Sequence, residues 1–151
     1  MYHAHGHKMV IAQGLRESAE HVLMKICLWA LYLPQYPDLT VEIRIEDRYK
    51  PDVVQLDLTG RPIFWGESGQ VSVKKIESLA RRYRDTHFAI AKWAMRLDPL
   101  EALVREAVDG IRRGAPFDLI SIPPDALTRF IDAEGRVSIG WGDVERVRIE
   151  G

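Results

Sequence analysis

Residues 51–76 read PDVVQLDLTGRPIFWGESGQVSVKKI and contain two short apolar runs, at positions 52–57 and 62–68. Thr59 and Gly60 lie between the two runs, a pattern that predicts a β-hairpin. If these two residues form the loop, Asp52 on one strand faces Glu67 on the other. A four-residue loop keeps this register, whereas a three-residue loop with a glycine bulge shifts it by one residue.

Two carboxylates that face each other across a hairpin repel unless a cation lies between them or one of them is protonated. Carboxylate oxygens are the ligands that Mg²⁺ and Mn²⁺ prefer, so a divalent metal would remove the repulsion between Asp52 and Glu67. The alternative is that both side chains lie in water at the fraying strand ends, far apart.

The remaining pattern predicts helices and strands in the order α-β-β-β-α-β, then α-β-β-β. We expect helices over residues 16–33, 72–83, 98–111 and 125–131, and strands over 40–47, 87–93 and 117–122, followed by a hairpin over 136–149. Ser72 is the expected N-cap of the second helix. Asp98, Pro99 and Glu101 predict a capping box at the start of the third. The fold class is therefore α/β, with a mixed central sheet flanked by helices and a C-terminal hairpin.

Glu20 lies on the same face of the first predicted helix as Leu23, Met24 and Cys27. An unpaired charge on this apolar face would be unfavourable, so Glu20 needs a partner or a place at the rim of the core. Glu17, one turn earlier, can play the same part. A simple ion pair between Glu20 and a nearby Arg is the alternative.

Positive charge is concentrated in residues 72–96, which carry seven Lys or Arg against two Asp or Glu, although the whole chain has a net charge of −1. Such an excess attracts phosphate groups, so this segment is a candidate nucleic-acid-binding surface. An ordinary solvated helix face is the alternative. The candidate contacts are Lys74, Lys75, Arg81, Arg82 and Arg84.

The order of elements, with Pro51-Asp52 opening one hairpin strand and Glu67 near the end of the next, resembles the PD-(D/E)XK nuclease superfamily. That superfamily has the restriction-endonuclease-like fold. Within it, the chain is similar to the YaeQ family, through a PD-x-x-x-x-DLTG hairpin, a W-x-E-x-G-Q segment and a downstream Lys.

The resemblance implies a metal-dependent nuclease acting on DNA or RNA. It implies that Asp52 and Glu67 bind Mg²⁺ or Mn²⁺, that Glu20 is a further ligand, and that a Lys or Gln positions the attacking water. The competing hypothesis is a non-catalytic nucleic-acid-binding or protein-interaction module on the same fold.

One position departs from the superfamily pattern, in which a Lys stands two residues after the Glu. Gly69 occupies that position here, Gln70 follows it, and Lys74 matches the spacing of the YaeQ family. Gln carries no positive charge and is no general base, so the departure bears on hydrolysis rather than on metal binding. The helical pattern puts Lys74 on the solvated side of its helix and Lys75 at the flank.

Length and composition predict one globular domain spanning residues 1–151. The longest apolar run covers residues 26–33, whereas a membrane span needs about 20 residues. With a lone Cys27 and no signal-peptide pattern, we expect a cytoplasmic protein that does not associate with membranes.

Overall fold

The structure is a computed structural model, which describes residues 1–11, 13–14 and 17–151. The helices are α1 Ala19–Tyr32, α2 Val73–Arg82, α3 Asp98–Val108 and α4 Ala126–Phe130. The strands are β1 Tyr2–Ala4, β2 His7–Met9, β3 Thr40–Val41, β4 Val53–Leu56, β5 Pro62–Ser68, β6 His87–Trp93, β7 Phe117–Ile122 and β8 Glu145–Ile149.

Strands β3 to β8 form one six-stranded sheet in sequence order, and β1 and β2 form a separate two-stranded ribbon. Strands β5, β6 and β7 are parallel, and the other neighbours in the large sheet are antiparallel. Helix α2 connects β5 to β6, and helix α3 connects β6 to β7, as parallel neighbours require. The predicted mixed sheet flanked by helices is therefore confirmed.

The two faces of the large sheet belong to different hydrophobic cores. Phe64 and Ala89 pack in the core that contains α1. Their chain neighbours Trp65 and Phe88 pack in the core that contains α2 and α3 residues. Because successive side chains of a strand point to opposite faces, α1 covers one face and α2 with α3 covers the other.

The hairpin between β4 and β5 has a three-residue loop, not the predicted two-residue loop. Asp57 N–H donates to Arg61 O at 2.8 Å, and Gly60 adopts φ +86°, a conformation that favours glycine. This loop shifts the pairing by one residue at its tip, but a bulge at Ile63 restores the predicted register, with Val53 paired to Gly66. The bulge therefore returns the site end of the hairpin to the register expected from the sequence.

Three predicted boundaries change. Helix α1 begins at Ala19 with Ser18 as N-cap, and the expected start at residue 16 lies outside the described residues. The strand expected over 40–47 is limited to Thr40–Val41, because Glu42 turns into the left-handed region at φ +59°. The capping box at Asp98 is wrong, since α3 is preceded by Leu97 without a side-chain cap and Asp98 pairs with Arg96 instead.

The C-terminal hairpin over residues 136–149 is wrong in its first half. Strand β8 pairs antiparallel with β7 in the large sheet. Arg136 and Val137 instead form isolated bridges with His3 and Ile131, and a single 3-10 turn, Trp141–Asp143, separates them from β8. One strand therefore joins the sheet at this end.

Within the described part of the chain, no helix has the length and apolarity needed to span a bilayer.

Candidate active site at the ends of β4 and β5

Glu67 lies near the end of β5 and is 8% exposed. Its Oε1 accepts hydrogen bonds from the indole Nε1 of Trp65 at 2.9 Å and from Nζ of Lys75 at 2.8 Å. Burial raises the pKa of Glu67 above its usual value, the two hydrogen bonds oppose this, and the nearby charge of Asp52 raises it further. The net shift is upward, so this carboxyl group holds its proton more tightly than an exposed glutamate does.

Asp52 lies immediately before β4, and its N–H donates to Gly66 O on β5 at 3.1 Å. Its Oδ2 accepts hydrogen bonds from N–H and Oγ of Ser68, at 2.8 and 3.2 Å. Its Oδ1 lies 3.6 Å from Nε2 of His21 and 3.9 Å from Nζ of Lys25. Backbone and hydroxyl donors of β5 therefore fix one oxygen, while the other faces helix α1.

The two carboxylates have cationic partners from different helices. Lys75 of α2 contacts Glu67, and Lys25 of α1 lies beside Asp52. The charge of Asp52 nevertheless contributes to the raised pKa of Glu67, so the two groups are near enough to interact. Each carboxylate of the predicted pair thus has a lysine from a different helix beside it.

Lys75, and not Lys74, reaches the candidate site. Ser72 caps α2 by accepting a hydrogen bond from Lys75 N–H at 3.1 Å, which fixes the start of the helix. The Lys75 side chain passes over the ring of Tyr49, with Nζ 5.0 Å from the ring centroid, and ends at Glu67. Lys74 and Gln70 are exposed, and neither forms a side-chain hydrogen bond or an ion pair with the residues that the structure describes.

Gly69, two residues after Glu67, lies in a turn that favours glycine. It follows the last residue of β5 and adopts φ +86°, a backbone conformation that residues with a side chain rarely adopt. Lys92 of β6 donates to the carbonyl oxygen of Gly69 at 2.6 Å, and burial lowers the pKa of Lys92. Gly69 therefore forms the turn after β5. Lys92 contacts its carbonyl oxygen, and Lys75 contacts the nearby Glu67.

Glu20 does not join the candidate site. Its side chain is exposed and forms no ion pair within the described ranges. Glu17, one turn earlier, instead contacts Lys25. Helical spacing alone did not separate the two, because the helix starts at Ala19 and Glu17 precedes its N-cap.

In the described residues, no three His, Cys, Asp or Glu side chains converge as a group that can hold a metal ion. Oδ1 of Asp52 and Oε2 of Glu67 accept no hydrogen bond from those residues, so one oxygen of each carboxylate is available. Mg²⁺ commonly binds proteins through one or two carboxylates and completes its shell with water and substrate phosphates. Asp52 supplies such a carboxylate on the side of the sheet that α1 covers, and Glu67 supplies one on the side that α2 covers.

The basic residues of α2, together with Arg84 just after it, divide into two sets. Arg82 pairs with Asp47, and Arg81 with Glu77 in an exposed pair at 3.3 Å. Lys74 and Arg84 are exposed and form no salt bridge within the part of the chain that the structure describes. The local positive excess is therefore partly neutralised, and part of it faces solvent.

A second charged cluster was missed from the sequence. Asp118 of β7 is fully buried and accepts hydrogen bonds from Tyr32 Oη at 2.6 Å, from Arg148 Nε at 2.8 Å and from Arg148 Nη2 at 3.0 Å. Nε2 of His87 lies 2.7 Å from Oδ2 of Asp118, and Nδ1 of His87 lies 2.8 Å from Tyr36 Oη. Burial opposes ionisation of Asp118, but these contacts outweigh it and hold its pKa well below the usual range. The cluster ties β6, β7 and β8 to α1.

Comparison of the sequence with models of protein families finds no match, and no curated protein is significantly similar in sequence. Two solved structures are similar in fold. The crystal structure of the YaeQ protein from Pseudomonas syringae has a TM-score of 0.63 at 18% identity, covering 93% of this chain and 80% of that chain. The YaeQ protein from Xanthomonas axonopodis pv. citri has a TM-score of 0.61 at 18% identity, covering 95% and 84% respectively. The chain therefore has the fold of the YaeQ proteins.

Proposed function

We propose that this chain is a YaeQ-type member of the PD-(D/E)XK superfamily and a metal-dependent hydrolase of phosphodiester bonds in nucleic acid. Asp52, Glu67 and Lys75 form the proposed catalytic centre. The observation that carries the proposal is the contact between the buried carboxylate of Glu67 and the ammonium of Lys75, beside a second carboxylate. It supplies the acid and lysine groups of the superfamily, with the lysine on a helix instead of the strand.

The proposed metal is Mg²⁺ or Mn²⁺, held by Asp52 and Glu67. When bound, such an ion polarises a phosphodiester and lowers the pKa of a coordinated water. Glu67 must be ionised to act as a ligand, and the hydrogen bonds from Trp65 and Lys75 favour that form. Ser68 holds Asp52 in place through its N–H and hydroxyl groups.

Lys75 has two roles in this proposal. Its ammonium balances the buried charge of Glu67, and it provides a positive group next to the position where negative charge develops on the phosphate. Gln70 and Lys74, expected from the sequence to contribute, are exposed. We therefore assign the lysine role to Lys75 and give Gln70 no role in catalysis.

Nucleic acid would be held through its phosphates by exposed cations of α2 and by Arg84 just after it, which act without sequence preference. Lys74 and Arg84 are the first candidates, because neither forms a salt bridge within the described residues. Arg81 is available too, since an exposed ion pair such as that with Glu77 stabilises by only about 0–1 kcal/mol. Arg82 is committed to Asp47 and contributes less.

A second candidate function is a non-catalytic nucleic-acid-binding module. The observation in its favour is that both carboxylates already have ammonium partners, Lys25 beside Asp52 and Lys75 on Glu67. A site whose charges are balanced in this way is stable without a metal.

Cleavage of labelled single- and double-stranded DNA and RNA in Mg²⁺ or Mn²⁺ distinguishes the two functions. We expect Asp52→Asn and Glu67→Gln each to lower the cleavage rate by about 100-fold or more, since loss of a metal ligand is at least as severe as loss of its outer-shell partner. Asp38→Asn and Glu77→Gln, which change exposed carboxylates, are the matched controls and should retain the rate. Binding without cleavage by the wild-type protein would favour the binding module.

A further inference from the structure

Lys25 is a buried lysine in an otherwise apolar helix. It is 4% exposed and lies between Met24 and Ile26, which both belong to the core. A buried ammonium is unfavourable unless it is paired and hydrogen-bonded. Lys25 donates to the carboxylates of Glu17 and Glu42.

Three carboxylates from separate parts of the chain surround this one ammonium. Glu17 precedes α1, Glu42 follows β3, and Asp52 precedes β4, with Asp52 Oδ1 3.9 Å from Nζ. Burial alone would lower the pKa of Lys25, but the hydrogen bonds and charges of these carboxylates raise it overall. The ammonium is therefore the common counter-ion of the cluster.

The surrounding backbone is arranged around this ion. Glu42 adopts φ +59°, a strained conformation for a residue with a side chain. Its N–H donates to Asp52 O at 2.9 Å, which ties the two acidic residues together. Nε2 of His21 is buried, lies 3.6 Å from both Glu17 Oε2 and Asp52 Oδ1, and has no hydrogen-bond partner in the described residues.

We infer that Lys25 is a positioning residue whose ammonium takes the place of a second divalent cation on the Asp52 side of the site. This inference rests on the proposed function. In two-metal phosphoryl-transfer sites, two cations lie about 3.5–4 Å apart and flank the substrate phosphate. Here Oδ1 of Asp52, one of the two proposed ligands, lies 3.9 Å from the ammonium of Lys25. The site accordingly takes one divalent ion, and the second positive charge is built into helix α1.

The number of bound metal ions tests this role without using catalysis. Lys25→Met removes the charge and keeps an unbranched side chain, which leaves Glu17, Glu42, Asp52 and His21 around the vacated position. Lys25→Gln, whose amide can still donate to Glu17 or Glu42, is measured in parallel in case the Met variant does not fold. Mn²⁺ is the probe, with stoichiometry from titration calorimetry and from the electron paramagnetic resonance signal of free Mn²⁺.

We expect each folded neutral variant to bind one Mn²⁺ per chain more than the wild type, and Lys25→Arg, which keeps the charge, to bind the wild-type number. Adding Glu17→Gln to the neutral variant should weaken the additional ion at least tenfold. Lys8→Met, which removes an exposed lysine, is the matched control and should bind the wild-type number.

The outcomes separate the role of Lys25 from the proposed function. One ion in the wild type and two in the variant support the inference. None in the wild type and one in the variant overturn both the inference and metal-dependent hydrolysis, because a second cation position requires a first. Equal numbers in wild type and variant, or two ions in the wild type, overturn the inference and leave the proposed hydrolysis to the cleavage assay.

Discussion

Nζ of Lys75 lies 2.8 Å from Oε1 of Glu67, so a residue of helix α2 contributes the positive group at the end of strand β5. Gly69 stands two residues after Glu67, and its positive φ suits a turn better than a residue with a side chain. The lysine that contacts Glu67 therefore comes from the neighbouring helix and not from the strand.

Lys75→Met should lower the cleavage rate by about 10²–10³-fold, the usual effect of removing one donor that stabilises charge in the transition state. Lys74→Met changes the neighbouring exposed lysine in the same way and should leave the rate within about threefold, the scale of an ordinary surface change. Single-turnover cleavage at saturating enzyme measures both. Equal losses in the two variants would indicate a general effect of charge on binding, and would remove Lys75 from the site.

Glu67→Gln should abolish cleavage. At pH 8 it should raise the free energy of unfolding by 0 to about 1 kcal/mol relative to wild type, because it removes a buried ionised group. Lys75 is partly exposed and can turn to water. The pKa of Glu67 is raised in the folded protein above its ordinary value of 4.5. The stabilisation that the protonated Glu67 carboxyl group provides is therefore fully present below pH 4.5, and it is lost as pH rises through the pKa of the folded state.

The stability advantage of the Gln variant should accordingly disappear as pH is lowered from 8 to 4.5. Urea unfolding of wild type and variant at both pH values measures this difference. A loss of more than about 2 kcal/mol in the variant at pH 8 would mean that the Lys75–Glu67 pair stabilises the fold, since breaking a buried pair is strongly destabilising.

Gly69→Lys restores the superfamily residue in sequence but should not increase cleavage. The substitution forces a side chain into φ +86° and should destabilise the protein by about 1–2 kcal/mol. Space is not the obstacle, since an added Cβ would meet His21 Nδ1 at an ordinary 3.6 Å. Gly142→Lys, at a position without positive φ and with open space around it, is the control and should leave stability unchanged. A stable, more active Gly69→Lys would show that the turn tolerates the strand lysine.

Asp118→Asn should destabilise the protein by about 3–5 kcal/mol at pH 7, because it leaves buried donors and Arg148 without their carboxylate. The pKa of Asp118 is depressed in the folded state by its contacts with His87, Arg148 and Tyr32. Its stabilisation is therefore present above the ordinary aspartate pKa and is lost as pH falls through the folded pKa.

The difference in the free energy of unfolding between wild type and Asp118→Asn should thus become smaller as pH falls from 7 to 3. Urea unfolding at the two pH values measures it. Asp98→Asn breaks the exposed pair with Arg96 and is the control, with an expected change below about 1 kcal/mol. A change of similar size for Asp118→Asn would mean that the buried cluster contributes no more than a surface pair.

The sequence predicts the central strands best. The expected bounds of β5, β6 and β7 agree with the structure, because strands buried on both faces form sharply bounded apolar runs. The strand expected over 40–47 was too long, since an alternating pattern does not reveal the positive φ of Glu42. The hairpin register was right at the site, although the loop was wrong, because the bulge at Ile63 compensates.

The candidate site was predicted in part. The pairing of the strands next to Asp52 and Glu67 follows from local sequence, which the hairpin encodes. The partners of Lys25 come from positions far apart in sequence, and no local pattern brings Glu17, Glu42 and Asp52 together. A signal was present, since a lysine among buried apolar residues of a helix requires a carboxylate nearby. Asp118 gave a similar signal, as the one charge in the run FDLISI of β7.

The central claim is that Asp52 and Glu67 bind one divalent ion together. Crystals of the wild-type protein soaked in MnCl₂, with data collected at the manganese absorption edge, test it most directly. We expect one anomalous peak beside Asp52 and Glu67, absent from Glu67→Gln crystals. Suppose that the wild-type protein cleaves nucleic acid with Mn²⁺ in solution but its crystals bind manganese only elsewhere. This result would contradict joint binding by Asp52 and Glu67.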